Sequence, residues 1–117
     1  MNKSKIAGIA FNVPDNIVTN HDLEKMMDTT DEWIQTRSGI KERRWVKPGV
    51  ANSDLALPAC QEAIQNAGIS PDDIDAIVVG TVTSDFNFPG MAPIIQQKLG
   101  ISAHVPAYDI SLSLIHN

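Results

Sequence analysis

Cysteine is nearly absent. Cys60 stands alone in 117 residues, so no internal disulfide can form and no thiol cluster exists to hold a metal. A reducing compartment is the natural setting for such a chain. Long apolar runs are missing too: MNKSKIAGIAF offers two lysines and then only about six apolar residues before Asn12 and Pro14, too few for a signal-peptide core or a membrane span. A soluble, cytoplasmic protein is expected, with no membrane partner. Basic residues are scarce, nine against fourteen acidic ones, for a net charge of −5. That balance argues against bulk nucleic-acid binding, which usually relies on a basic patch unopposed by the chain's own charge. Internal repeats, low-complexity tracts and linkers are also lacking, and 43% apolar content supports one core but hardly two.

The few cations are gathered in one place. Arg37, Lys41, Arg43, Arg44 and Lys47 face a single anion, Glu42, so residues 37–47 carry +4 and the rest of the chain −9. One local site for a compact polyanion fits this distribution better than a long anionic track.

Strands and helices follow from pattern. Ile6 to Val13 is small and apolar and is closed by Pro14, which predicts a strand. Thr19 or Asn20 caps a short helix through Met27, with Leu23, Met26 and Met27 inward. Thr29 and Glu32 have capping-box spacing and Gly39 sits where a helix-ending glycine belongs, so a second short helix is expected over 30–38. Ser53 opens a longer helix ending at Gly68, its stripe formed by Leu55, Ala56, Ala59, Cys60, Ala63, Ile64 and Ala67. Pro58 predicts a bend or a later start. Ser70 to Asp73 reads as a capped turn with proline at its first position. Ile74 to Val82 is β-branched and almost continuously apolar, as in a strand covered on both faces. A helix from Met91 to Leu99 stopped by Gly100, and a strand from Val105 to Ile110, complete the order. The alternation indicates an α/β domain with a mixed or mainly parallel sheet and right-handed crossovers.

Trp33 and Arg37 lie four apart on the second short helix and therefore share a face. An indole beside a guanidinium offers a stacking surface and a phosphate partner. The plainer alternative is a half-buried aromatic on an amphipathic helix, with the cations a solvated face. Ser111 and Ser113 near His116 lack the glycines of a hydrolase elbow. Asp72, Asp73 and Asp75 lack the glycine and glutamate of a calcium loop. Phe86 and Phe88 are either core anchors or functional loop residues.

The segment TTDEWIQTRSGIKERR, the opening stretch ending in Val-Pro, NHDLEKMMDT, and GTVTSDFNFP followed by QQKLGI together resemble the start of β-ketoacyl-acyl carrier protein synthase III, a condensing enzyme of the thiolase fold. The likeness runs from about Lys5 to Asp109 and covers less than half of a typical member, whose two α/β halves are similar. The resemblance implies a decarboxylative Claisen condensation: a cysteine takes an acyl group from acyl-coenzyme A, and malonyl carrier protein supplies the two-carbon nucleophile. It also implies that Trp33 stacks on the adenine of coenzyme A, that Arg37 lies against the nucleotide, and that Thr29 lines the same entrance. Phe88 would reach across a homodimer interface to the partner's acyl pocket. Lys41, Arg43, Arg44 and Lys47 would attract the acidic carrier protein, mainly by speeding encounter. Coenzyme A thioester is then a substrate, and no bound cofactor or metal is expected.

One departure stands out. The family's nucleophilic cysteine lies five residues after the aspartate matching Asp109, and that count falls on Leu114, whose alkyl side chain forms no thioester. Cys60 sits on a helix stripe, where a thiol stays protonated. The family's histidine and asparagine belong to the second half, and His116 lies too near the end to replace them. Residues 1–117 are therefore expected to form a truncated amino-terminal thiolase-like domain, inactive by itself. The alternative is a non-catalytic binding or partner subunit related to condensing enzymes.

Overall fold

A computed structural model describes residues 3–111. The chain divides into two compact units, Val13–Val50 and the sequence on either side of it.

Within Val13–Val50, β1 (Asn16–Thr19) pairs antiparallel with β2 (Glu42–Trp45), placing Val18 opposite Arg43 and Ile17 opposite Arg44. β1 runs straight into α1 (Asn20–Glu24). Thr19 makes the junction: its hydroxyl accepts the Asp22 amide while the Asp22 carboxylate accepts the Thr19 amide, a reciprocal cap. α1 stops earlier than predicted, and Met26 and Met27 are exposed, leaving only Leu23 half-buried. α2 (Asp31–Ser38) begins one residue later than the Thr29–Glu32 spacing implied. Thr30 is its cap, accepting the Trp33 amide at 3.1 Å, so the third helical position falls on Trp33 rather than Glu32 and no capping box forms. Gly39 ends α2 at φ 71, donating its amide to the Gln35 carbonyl.

In the other unit, α3 (Asn52–Ala67) runs through Pro58 without the later start that proline predicted. Every member of its apolar stripe is half-buried. Gly68 ends it in the left-handed region, and a single 3₁₀ turn (Pro71–Asp73) follows, capped by Ser70. β3 (Ile77–Gly80) pairs in parallel with β4 (Ala107–Ile110), Ile77 opposite Ala107, and α4 (Met91–Leu99) makes the crossover. The buried apolar side chains of this unit are Met91, Ala92, Ile95 and Ile101, each contributing about 1.5–3 kcal/mol where the side chain is large. Asp109 on β4 fastens the start of α4: Oδ1 accepts the amides of Met91 and Ala92, each at 3.0 Å. Gly90 permits this approach, because a Cβ there would collide with the Asp109 carboxylate.

Two predicted strands are corrected. Residues 6–13 form no strand and pair with none among the described residues. They lean instead on α3, where Gly8 packs against Ala63 and Ala67, Asn66 Nδ2 donates to the Ile9 carbonyl and Asn12 Nδ2 to that of Leu55. Ile9 and Phe11 point outward. The second correction is at Ile74–Val82, which shortens to β3. Val78 is 61% exposed, so among the described residues one face of β3 is open rather than covered. The architecture is α/β with one antiparallel and one parallel strand pair.

Candidate functional site

α2 is mostly polar, and its caps rather than an apolar stripe define it. Trp33 is 58% exposed, and Arg37, one turn later, lies with its guanidinium carbon 5.6 Å from the centre of the indole. A contact of this kind contributes about 0.5–1 kcal/mol at an exposed site. The indole borders two shallow depressions. One, of about 230 Å³, is lined by Asp28, Thr29, Thr30 and Trp33. The other, of about 350 Å³, is lined by Thr30, Glu32, Trp33, Thr36 and Arg37. Thr29 Oγ1 is buried without a hydrogen-bond partner. The arrangement combines a flat apolar face and a fixed positive charge, a set suited to a base and a phosphate.

Behind this surface lies a polar knot. Asn20 is 1% exposed; its Nδ2 donates to Asp31 Oδ1 at 2.7 Å and to the Ile40 carbonyl at 2.8 Å. Its Oδ1 accepts from Arg43 Nη2 at 2.7 Å. Gln35 Nε2 donates to Asp31 Oδ2 at 2.7 Å, and the Asp31 amide donates to Glu24 Oε1 at 2.6 Å. The Asn20 bond, then that of Gln35, holds the Asp31 carboxyl below its usual range. Hydrogen bonds from His21 and from the Asp31 amide do the same for Glu24. None of this was read from the sequence, because an asparagine opening a short helix looks like a surface residue.

The basic segment separates into two kinds of cation. Arg43 belongs to the knot and also donates to the Val18 carbonyl at 3.3 Å, so it is a structural residue rather than a free charge. Arg44 Nη1 donates to the Pro14 carbonyl at 3.1 Å while remaining exposed. Lys41 and Lys47 are exposed.

The remaining candidates lie in the other unit. Phe86 is 63% and Phe88 90% exposed, so neither anchors a core among the described residues. Their loop is tied to the start of α3, where Asn52 Nδ2 donates to the Thr83 carbonyl at 3.0 Å and the Ser53 amide to Asp85 Oδ1 at 3.1 Å. Cys60 is half-buried, and burial pushes its thiol up, away from the reactive thiolate. Leu114, Ser113 and His116 lie outside the described residues. Among the described residues no trio of metal-ligating side chains occurs and no helix is long and apolar enough to cross a membrane.

No family model matches the chain. Individual proteins do. The β-ketoacyl-[acyl-carrier-protein] synthase III of Caldanaerobacter subterraneus subsp. tengcongensis is 51% identical over 107 residues, 92% of this chain and 32% of that protein. The crystal structure of 3-oxoacyl-[acyl-carrier-protein] synthase III from Aquifex aeolicus superimposes with a TM-score of 0.87 at 43% identity, covering 94% of this chain and 35% of that one. The synthase III of Thermus thermophilus gives a TM-score of 0.81 at 38% identity, over 92% and 33% of the two chains. The chain thus spans about a third of the length of the curated relatives it matches. Over that span it is a homologue of the amino-terminal portion of β-ketoacyl-acyl carrier protein synthase III, a family of condensing enzymes, and it has their thiolase-like fold.

Proposed function

We propose that this chain carries the coenzyme A-facing part of a cytoplasmic β-ketoacyl-acyl carrier protein synthase III, whose whole form condenses acyl-coenzyme A with malonyl carrier protein to begin fatty acid synthesis. Residues 1–117 are, in this reading, a partial thiolase-like domain. Trp33 stacks on the adenine, Arg37 pairs with a nucleotide phosphate and Thr29 lines the entrance. Phe88 serves an acyl pocket at a homodimer contact, and Lys41, Arg44 and Lys47 draw in the acidic carrier protein. The observation that carries the reading is the exposed Trp33 with Arg37 against its ring, 5.6 Å from its centre. Leu114 occupies the position where the family has its nucleophile, so this chain itself takes up no acyl group.

Isothermal titration of the chain with coenzyme A tests the proposal. Replacing Trp33 by Ala removes a stacking contribution of about 1–3 kcal/mol and is expected to raise the dissociation constant about 5- to 150-fold. Acetyl-coenzyme A labelled in its acetyl group is expected to leave no label on the protein. Binding unaffected by Trp33→Ala would defeat the nucleotide reading, and a labelled Cys60 would defeat the inactivity.

The 90% exposure of Phe88 favours a second reading, a non-catalytic subunit that pairs with an active synthase. Co-purification with a full-length synthase, abolished by Phe88→Asp, distinguishes it.

A further inference from the structure

The Trp33–Arg37 surface lies on a helix that has no fully buried residue of its own. With Ile34 only half-buried, apolar packing on α2 is slight, and directional contacts can fix how it is set. Asn20 has the required geometry. Its two amide hydrogens go to Asp31, the first residue of α2, and to the carbonyl of Ile40, just past the Gly39 that ends it. One side chain thus grips both ends of the helix. Its oxygen takes Arg43 from β2, and its own backbone amide donates to the Lys41 carbonyl at 3.3 Å. The amide orientation is unambiguous, since two acceptors face the nitrogen and one donor faces the oxygen. Gln35, one turn beyond Asp31 and two residues before Arg37, secures the other carboxylate oxygen.

We propose that Asn20 is a positioning residue for the nucleotide surface: by joining Asp31, Ile40 and Arg43 it sets the rotation and height of α2, and thereby where Trp33 and Arg37 meet a ligand. This rests on the coenzyme A reading above. Directionality is the physical reason. Apolar contacts tolerate a small rotation of a helix, whereas hydrogen bonds of 2.7–2.8 Å weaken steeply when their angles open. Asn20→Ala leaves the half-buried Arg43 and Asp31 without their shared partner. Asn20→Asp keeps an acceptor for Arg43 but removes both donated hydrogen bonds, setting carboxylate oxygen against Asp31 and the Ile40 carbonyl.

The experiment uses the 117-residue chain carrying Trp45→Phe, so that Trp33 is the sole indole, with acrylamide quenching and coenzyme A titration as readouts. Asn20→Ala is expected to keep its helical circular dichroism, alter the quenching of Trp33 and weaken coenzyme A by at least about fivefold, as loss of a buried hydrogen-bonded group does. Asn20→Asp, which retains the Arg43 contact, is expected to do the same. If Asn20→Ala does not fold, Asp31→Ala, which leaves the Thr30 cap in place, carries the same expectations. Unchanged quenching and affinity in these variants, while Trp33→Ala weakens binding, would overturn the positioning role and leave the nucleotide surface intact. A folded Asn20→Asp variant with both readouts at the parent value would also overturn it. If the parent chain binds no coenzyme A, the nucleotide reading falls, and the quenching of Trp33 alone decides the positioning role.

Discussion

Val13–Val50 and the unit formed by the sequence around it are built on different forces. Among the described residues the former buries one apolar side chain, Val18, and one amide, Asn20, whereas the latter buries four apolar side chains, Met91, Ala92, Ile95 and Ile101, and one hydroxyl, Ser53. Burial of apolar area is strong but indifferent to angle. Hydrogen bonding contributes less per contact but fixes direction. The difference separates a unit that holds its residues together from one that aims them, and the stacking pair belongs to the second kind.

The largest effect is expected where area dominates. Ile95 is 3% exposed, and Ile95→Ala should cost about 2–5 kcal/mol by the loss of contacts and the cavity left behind. Urea unfolding followed by far-ultraviolet circular dichroism measures it. A loss well below that range would mean that α4 is not the centre of its unit.

A smaller effect comes from pH. In Val13–Val50 the carboxyls of Asp22, Glu24 and Asp31 are held below the ordinary range, chiefly by hydrogen bonds from Thr19, His21 and Asn20 respectively, and in the other unit Lys98 and the Ser70 amide do the same for Asp54 and Asp73. A depressed carboxyl contributes stability above its unfolded value, and the contribution is lost as pH falls through the folded one. Acidification below about pH 5 should therefore lower the urea midpoint, and Asp31→Asn should remove part of that slope. His21 works in the opposite sense: Glu24 raises it above 6.5, so its contribution is present below that pH and fades as pH rises past the raised value. A urea midpoint flat from pH 5 to about pH 3 would contradict the polar knot.

Local chemistry made much of this legible in the sequence. Gly39, Gly68 and Gly100 end their helices as predicted, because a left-handed residue is a local requirement that glycine meets at little cost. The common face of Trp33 and Arg37 followed from a spacing of four. What escaped depends on distant partners. β2 reads Glu-Arg-Arg-Trp, with no alternation to announce a strand, and exists through pairing with β1. The spacing to Glu32 favours Thr29 on paper, and only the folded chain selects Thr30 as the cap. Asp109 caps a helix that begins 18 residues before it, beyond the reach of any local pattern. Arg43 looked like one more surface cation until its partner turned out to be a buried amide.

The most direct measurement is nuclear magnetic resonance of the two indole N–H groups during titration with coenzyme A. Trp33 lies in the same short helix as Arg37, whereas Trp45 lies on β2, so each resonance reports a different surface. The expected result is a saturable shift of the Trp33 indole with little change at Trp45. A shift at Trp45 alone, or no shift at either indole at saturating coenzyme A, would contradict the nucleotide-landing role of α2.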